Sequence, residues 1–148
     1  MRSIAFLFAA LLLASCDKPA SVEDDLHTSD LTLPGGQVIR IEMKLDARDM
    51  LQGLMFRPSL AEDHGMLFVH KSPGQYSTWT YQHLFPLDMI WIDENRKIVE
   101  IVENAPPCKT VATQCTHYGG QQMSQYMLEL TGGMVKKYKL QTGQYLNW

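Results

Sequence analysis

The sequence predicts a mainly β fold of the α+β class: a compact antiparallel, barrel-like domain with short peripheral helices. Three observations carry that expectation. Apolar runs of strand length recur along the chain, turn residues separate several of them at hairpin distances, and helical spacing is confined to short stretches. The chain has 148 residues, 45% hydrophobic and 20% charged, which suits one domain with an ordinary core. A formal charge of -3 with no basic run argues against a nucleic-acid partner.

The first segment is an export signal rather than part of the fold. Met1-Arg2-Ser3 supplies one positive charge, and the apolar run from Ile4 to Leu13 is too short to span a bilayer comfortably and ends in small residues. Residues 1–15 are therefore expected to be a signal peptide. Its last residues, Leu13-Ala14-Ser15-Cys16, resemble the bacterial lipobox, in which the cysteine is lipidated and opens the mature chain. Each buried methylene of such an anchor contributes roughly 0.8 kcal/mol, so several acyl chains on Cys16 would hold the protein at a membrane. The expected location is the bacterial cell envelope, with a periplasmic or extracytoplasmic domain. Asp17 favours inner-membrane retention where enteric-type sorting applies. Residues 16–30 are polar and acidic, which suits a flexible tether, and the β-rich domain is expected over residues 31–148.

Within the domain, Leu31-Thr32-Leu33 and Val38 to Leu45 flank Pro34-Gly35-Gly36 and are expected to pair as a hairpin. Ile39, Ile41, Met43 and Leu45 alternate with Arg40, Glu42 and Lys44, so one face of that second strand is buried. Asp46 stands at an N-cap position, and Ala47, Met50, Leu51 and Leu54 follow at helical spacing, ending before Arg57-Pro58. Strands are then expected at Met66 to Val69, Tyr76 to Tyr81, Leu87 to Ile92 and Lys97 to Glu103. Turns at Asp63-His64-Gly65, Ser72-Pro73-Gly74 and Asp93 to Arg96 punctuate them. A loop from Asn104 to Ser124 is long enough to require a cross-link or a function. Tyr126 to Leu130 reads as a strand, Gly133 to Tyr138 as a helical turn, and Tyr145 to Trp148 as a short terminal strand.

The motifs Gly53-Leu54-Met55-Phe56-Arg57 with Ser59-Leu60, Gly65-Met66-Leu67-Phe68, Pro86-Leu87-Asp88 and Leu128-Glu129-Leu130 with Gly133 stand in an order and spacing that resemble the domain-of-unknown-function 192 family. The resemblance runs from about Leu31 to Trp148 and implies a compact β-rich domain with no established activity. At Trp79-Thr80-Tyr81-Gln82-His83 the chain departs from the family's usual aromatic-Trp-Met-Lys-Asn-Thr. Trp79 is kept, whereas Tyr81 and Gln82 replace the lysine and asparagine, which implies a different ligand or none.

Arg57 lies between two apolar blocks and calls for a carboxylate or a ligand, because a guanidinium cannot shed its charge. Asp88 is the expected partner. Together with Trp79 as an apolar wall and Gln82 or His83 as hydrogen-bonding groups, the two form the candidate ligand site. The competing reading makes Arg57 and Asp88 a structural ion pair, or Asp88 a turn cap. Cys108 and Cys115, with six residues between them in a chain expected to be exported, are expected to form a disulfide that clamps the long loop; a metal site built from them and His117 is the alternative. Ser59, His64 and Asp88 supply hydrolase residue types without a nucleophile-elbow motif. No catalytic residue, metal or cofactor is assigned. The functional expectation is a lipid-anchored, non-catalytic domain that binds a small ligand or an envelope protein. An enzyme using the Arg57/Asp88 neighbourhood and a structural accessory lipoprotein are the alternatives.

Overall fold

A computed structural model describes residues 27–148. The expected signal peptide, Cys16 and the tether up to residue 26 lie outside the described residues. Among the described residues no helix is long and apolar enough to cross a membrane.

The chain forms β1 (Thr28–Thr32), β2 (Val38–Lys44), α1 (Ala47–Gln52), β3 (His64–Gly74), β4 (Ser77–Trp79), β5 (Leu87–Ile92), β6 (Ile98–Ala105), β7 (His117–Gly119), β8 (Ser124–Thr131) and α2 (Met134–Tyr138). A 3-10 turn at Ala112–Gln114 precedes β7. Six strands make one sheet in the order β1-β2-β3-β8-β5-β6, and β4 and β7 make a separate two-stranded sheet. The fold is mainly β and α+β, as the sequence indicates.

Several expectations are corrected. The sheet is mixed, because β2 and β3 run parallel: α1 and the loop after it carry the chain back before β3 begins. Nor does the sheet close into a barrel, since β1 and β6 remain its two edges. Instead of adding a terminal strand, the last residues make isolated bridges, Asn147 with Thr32 and Tyr145 with Lys97. They thereby touch the ends of both edges without joining them. The first strand also begins earlier than its polarity suggests: Thr28 to Asp30 pair with Arg40 to Glu42 through backbone hydrogen bonds.

Both faces of the sheet are apolar. On one, Leu67, Ile90, Ile92, Leu128 and Leu130 pack under Met134 and Val135 of α2. On the other, Met66, Phe68, Met89, Trp91 and Met127 pack with Leu54. Strand alternation produces this division, since neighbouring side chains on β3, β5 and β8 point to opposite faces. Trp91 is fully buried and donates its indole N–H to the Tyr76 carbonyl at 2.7 Å. Gly119 crosses over that indole at φ +72, where an added Cβ would stand 2.1 Å from a ring carbon. Glycine is required there on both counts.

Helix α1 is shorter and less embedded than its spacing implies. Asp46 caps it, its carboxylate accepting the N–H groups of Arg48 and Asp49 at 3.0 Å each. Gly53, at φ 47, ends it ahead of Arg57-Pro58. Leu54 turns into the core, but Leu51 stays exposed.

Candidate functional site

The site is assembled over the second apolar face. Strand β4 pairs with β7, Thr78 opposite Tyr118 and Trp79 opposite His117. The disulfide between Cys108 and Cys115 shortens the connection leading to β7, and the Cys108 N–H donates to the Thr80 carbonyl at 3.0 Å. The Thr80 hydroxyl in turn donates to the Pro106 carbonyl at 2.8 Å. Thus the cross-linked loop holds Trp79 and the turn after it against the sheet.

That turn has unusual backbone. Gln82 sits at φ 58 and Phe56 at φ 63, and the Phe56 N–H donates to the Gln82 carbonyl at 2.9 Å. Left-handed conformations at non-glycine residues cost energy and persist where the surroundings enforce them. Here they direct His83 inward. Its Nδ1 stands 3.0 Å from the Tyr81 carbonyl, and a carbonyl can only accept, so Nδ1 carries the proton. Nε2 is then a lone-pair acceptor, buried and without a hydrogen-bond partner. Burial holds the imidazole below its ordinary pKa, outweighing the hydrogen bond to Tyr81, and favours the neutral ring.

Glu129 lies on β8 between Met66 of β3 and Met89 of β5, its direct neighbours across the sheet. It is 2% exposed, and its Oε2 has no hydrogen-bond partner. Burial without compensating charge pushes its pKa up to about 8, so the carboxyl is neutral at neutral pH.

Glu129 and His83 line the same small cavity, together with Trp79, Thr78, Gly53 and Phe68. Its volume is about 20 Å³, measured for the centre of a water molecule, which is room for a group of that size. Met50, Leu51, Thr78 and Trp79 border this cavity and also an open groove of about 390 Å³ between α1 and the β4–β7 pair. The arrangement is an apolar groove with a polar inner end.

The residues expected from the sequence divide. Trp79 and His83 line the small cavity. Gln82 supports it through its backbone carbonyl. Arg57 and Asp88 do not form the expected pair and line neither space. The Arg57 guanidinium grips Glu42 in a fork, at 2.5 and 2.7 Å. Asp88 is fully buried, and its two oxygens accept the backbone N–H groups of Asn104 at 2.7 Å and Val135 at 2.6 Å. It is a cap, both of its oxygens being taken by backbone N–H groups. The disulfide engages both cysteines of the alternative metal site. His64 lies against Asp63 at 2.8 Å, so the hydrolase residue types are not assembled around Asp88 either. No group of three or more His, Cys, Asp or Glu among the described residues is placed to hold a metal.

Glu129 is the residue that sequence reasoning did not select. Its signal was a lone acid inside Met127-Leu128-Glu129-Leu130, an apolar run of a central strand, where a carboxyl must be paired or neutral.

Fold and site together define an α+β domain built on a mixed six-stranded sheet, with a buried acid at the end of an apolar groove. The chain belongs to the DUF192 family, described as uncharacterized ACR, whose model matches residues 31–148. A crystal structure of a protein of unknown function from Novosphingobium aromaticivorans DSM 12444 is similar at a TM-score of 0.72 and 26% identity, over 82% of this chain and 84% of that one. A second, from Sinorhizobium meliloti 1021, is provisionally described as a transcription regulator. It matches at a TM-score of 0.70 and 31% identity, over 80% of this chain and 89% of that one. No curated protein matches the sequence.

Proposed function

We propose that this is a lipid-anchored envelope protein whose domain binds a small ligand, without catalysis, in the groove between α1 and the β4–β7 pair. The observation that carries the reading is the pair of buried, unpartnered polar atoms, Glu129 Oε2 and His83 Nε2, at the inner end of that groove. Burying a polar group without a partner is costly, and a bound ligand supplying the missing hydrogen bonds offsets that cost. Apolar walls with a few convergent polar groups are the usual form of a small-molecule site. The anchor rests on the Leu13-Ala14-Ser15-Cys16 motif. A regulatory role on DNA, suggested by the description of one relative, fits poorly with a formal charge of -3 and no basic run.

The test is native mass spectrometry of the full chain extracted from membranes without reductant, beside a Thr78→Trp variant that fills the groove. A ligand mass carried by the wild type and absent from the variant supports the reading. A bare wild-type chain, or an adduct that survives Thr78→Trp, sinks it. Labelling with radioactive palmitate that is lost in Cys16→Ser supports the anchor, and label retained in that variant refutes it.

A further inference from the structure

We infer that the inner end of the groove receives a primary ammonium group, so that the ligand is an alkylamine or the amine end of a larger molecule. The inference rests on the groove-binding reading above and adds the chemistry of the ligand's head. Because Nδ1 of His83 donates to the Tyr81 carbonyl, its Nε2 presents a lone pair and nothing to donate. The Glu129 carboxylate likewise offers acceptors once ionised, and its Oε2 is unpartnered. With Glu129 ionised, the two side chains lining this cavity present acceptors only, and a group with several N–H donors and no acceptor complements them. An ammonium is such a group.

Size narrows the choice further. About 20 Å³, measured for the centre of a water molecule, suits the head of a primary amine, which is close to a water molecule in bulk, better than the larger guanidinium or trimethylammonium. Trp79 on the wall adds an aromatic ring, which favours a cation, and Met50 and Leu51 offer the amine's carbon chain an apolar seat.

Proton balance gives the binding a signature. Burial pushes the Glu129 pKa up to about 8, so near neutral pH it must lose a proton to pair with an incoming cation. Besides Glu129, His83 is the titratable residue lining the cavity. Met66 and Met89, beside Glu129 on the neighbouring strands, carry no charge, and neither do the residues of α1 that border it. Amine affinity should therefore rise about tenfold per pH unit up to about 8 and level off above it.

The experiment is an NMR-detected titration of the full chain in detergent micelles with n-butylamine and with 1-butanol at pH 6, 7, 8 and 9, with empty micelles as the blank. The expected result is at least tenfold tighter binding of butylamine at pH 8, the stated slope below it, and loss of both in Glu129→Gln. Equal binding of the two probes with a pH-independent amine affinity overturns the ammonium inference and leaves the groove reading standing. Failure of both probes to bind removes both. The wild-type pH slope decides the matter even where Glu129→Gln fails to fold.

Discussion

Asp88 accepts the backbone N–H of Val135 at 2.6 Å, which ties the second residue of α2 to the central strand β5. The other oxygen takes the N–H of Asn104 at the far end of β6. One buried carboxylate thus joins a helix start to a strand pair. Replacing it with alanine strands the buried Val135 donor, at about 1–3 kcal/mol, and the part-buried Asn104 donor, at less. Asp88→Ala is expected to lower stability by roughly 2–5 kcal/mol, and Asp88→Asn by somewhat less, since an amide oxygen can satisfy one donor. Urea unfolding measures both. Wild-type stability in Asp88→Ala would refute the capping role.

The Glu42–Arg57 fork is partly exposed, with side chains 21% and 35% accessible, so its contribution is modest. Hydrogen bonding to Arg57 is the main influence holding the Glu42 carboxyl below its ordinary value of 4.5, against the opposing effect of burial. A depressed carboxyl stabilises the fold above its unfolded pKa, and that contribution disappears as pH falls through the folded value. Glu42→Gln is expected to cost about 1 kcal/mol at pH 7, with the gap to wild type closing in acid. A gap of constant size from pH 7 to pH 3 would contradict this assignment.

Glu129 has the opposite sign. Between 4.5 and about 8 the folded chain holds a proton that the unfolded chain has released, so stability declines as pH rises through that window. The decline is on the order of 3–5 kcal/mol, and Glu129→Gln should abolish it. Chemical denaturation at pH 5 and pH 9 makes the comparison. Parallel wild-type and variant profiles would show that Glu129 is ionised throughout.

Reducing the Cys108–Cys115 bond should cost roughly 2–3 kcal/mol by the chain-entropy account of a short loop. Because Cys108 donates to Thr80, the loss should also loosen the Trp79 wall. A paired Cys108→Ser, Cys115→Ser variant is expected to melt earlier and to show faster amide exchange at Thr80 and His83 than in the core of β8. Unchanged exchange at those two residues would separate the bond from the site.

Much of the fold was legible where one residue's environment is decided by its strand alone. Val38 to Lys44 alternates and β5 is apolar apart from Asp88, so both could be read directly. Sheet order is a different kind of fact. The parallel pairing of β2 with β3 and the open edges depend on which segments meet, and no local pattern encodes that. Trp79 and His83 stood out in the stretch where the chain departs from the family's usual motif. Asp88 was recognisable as a buried acid, but its partners are backbone groups of Asn104 and Val135, which have no signature in side-chain identity. Glu42 looked like an exposed member of an alternating strand, and Arg57 was assigned the wrong carboxylate for that reason.

The residues that touch both sheet edges, Tyr145 and Asn147, also bear on how the chain is made. They follow every strand in sequence, so a growing chain presents the ends of β1 and β6 uncovered until these residues emerge. Exposed strand edges template pairing with other chains. The interval before the last few residues dock is therefore when this domain is most open to aggregation, and a chaperone that holds the chain until then would protect it most at that stage.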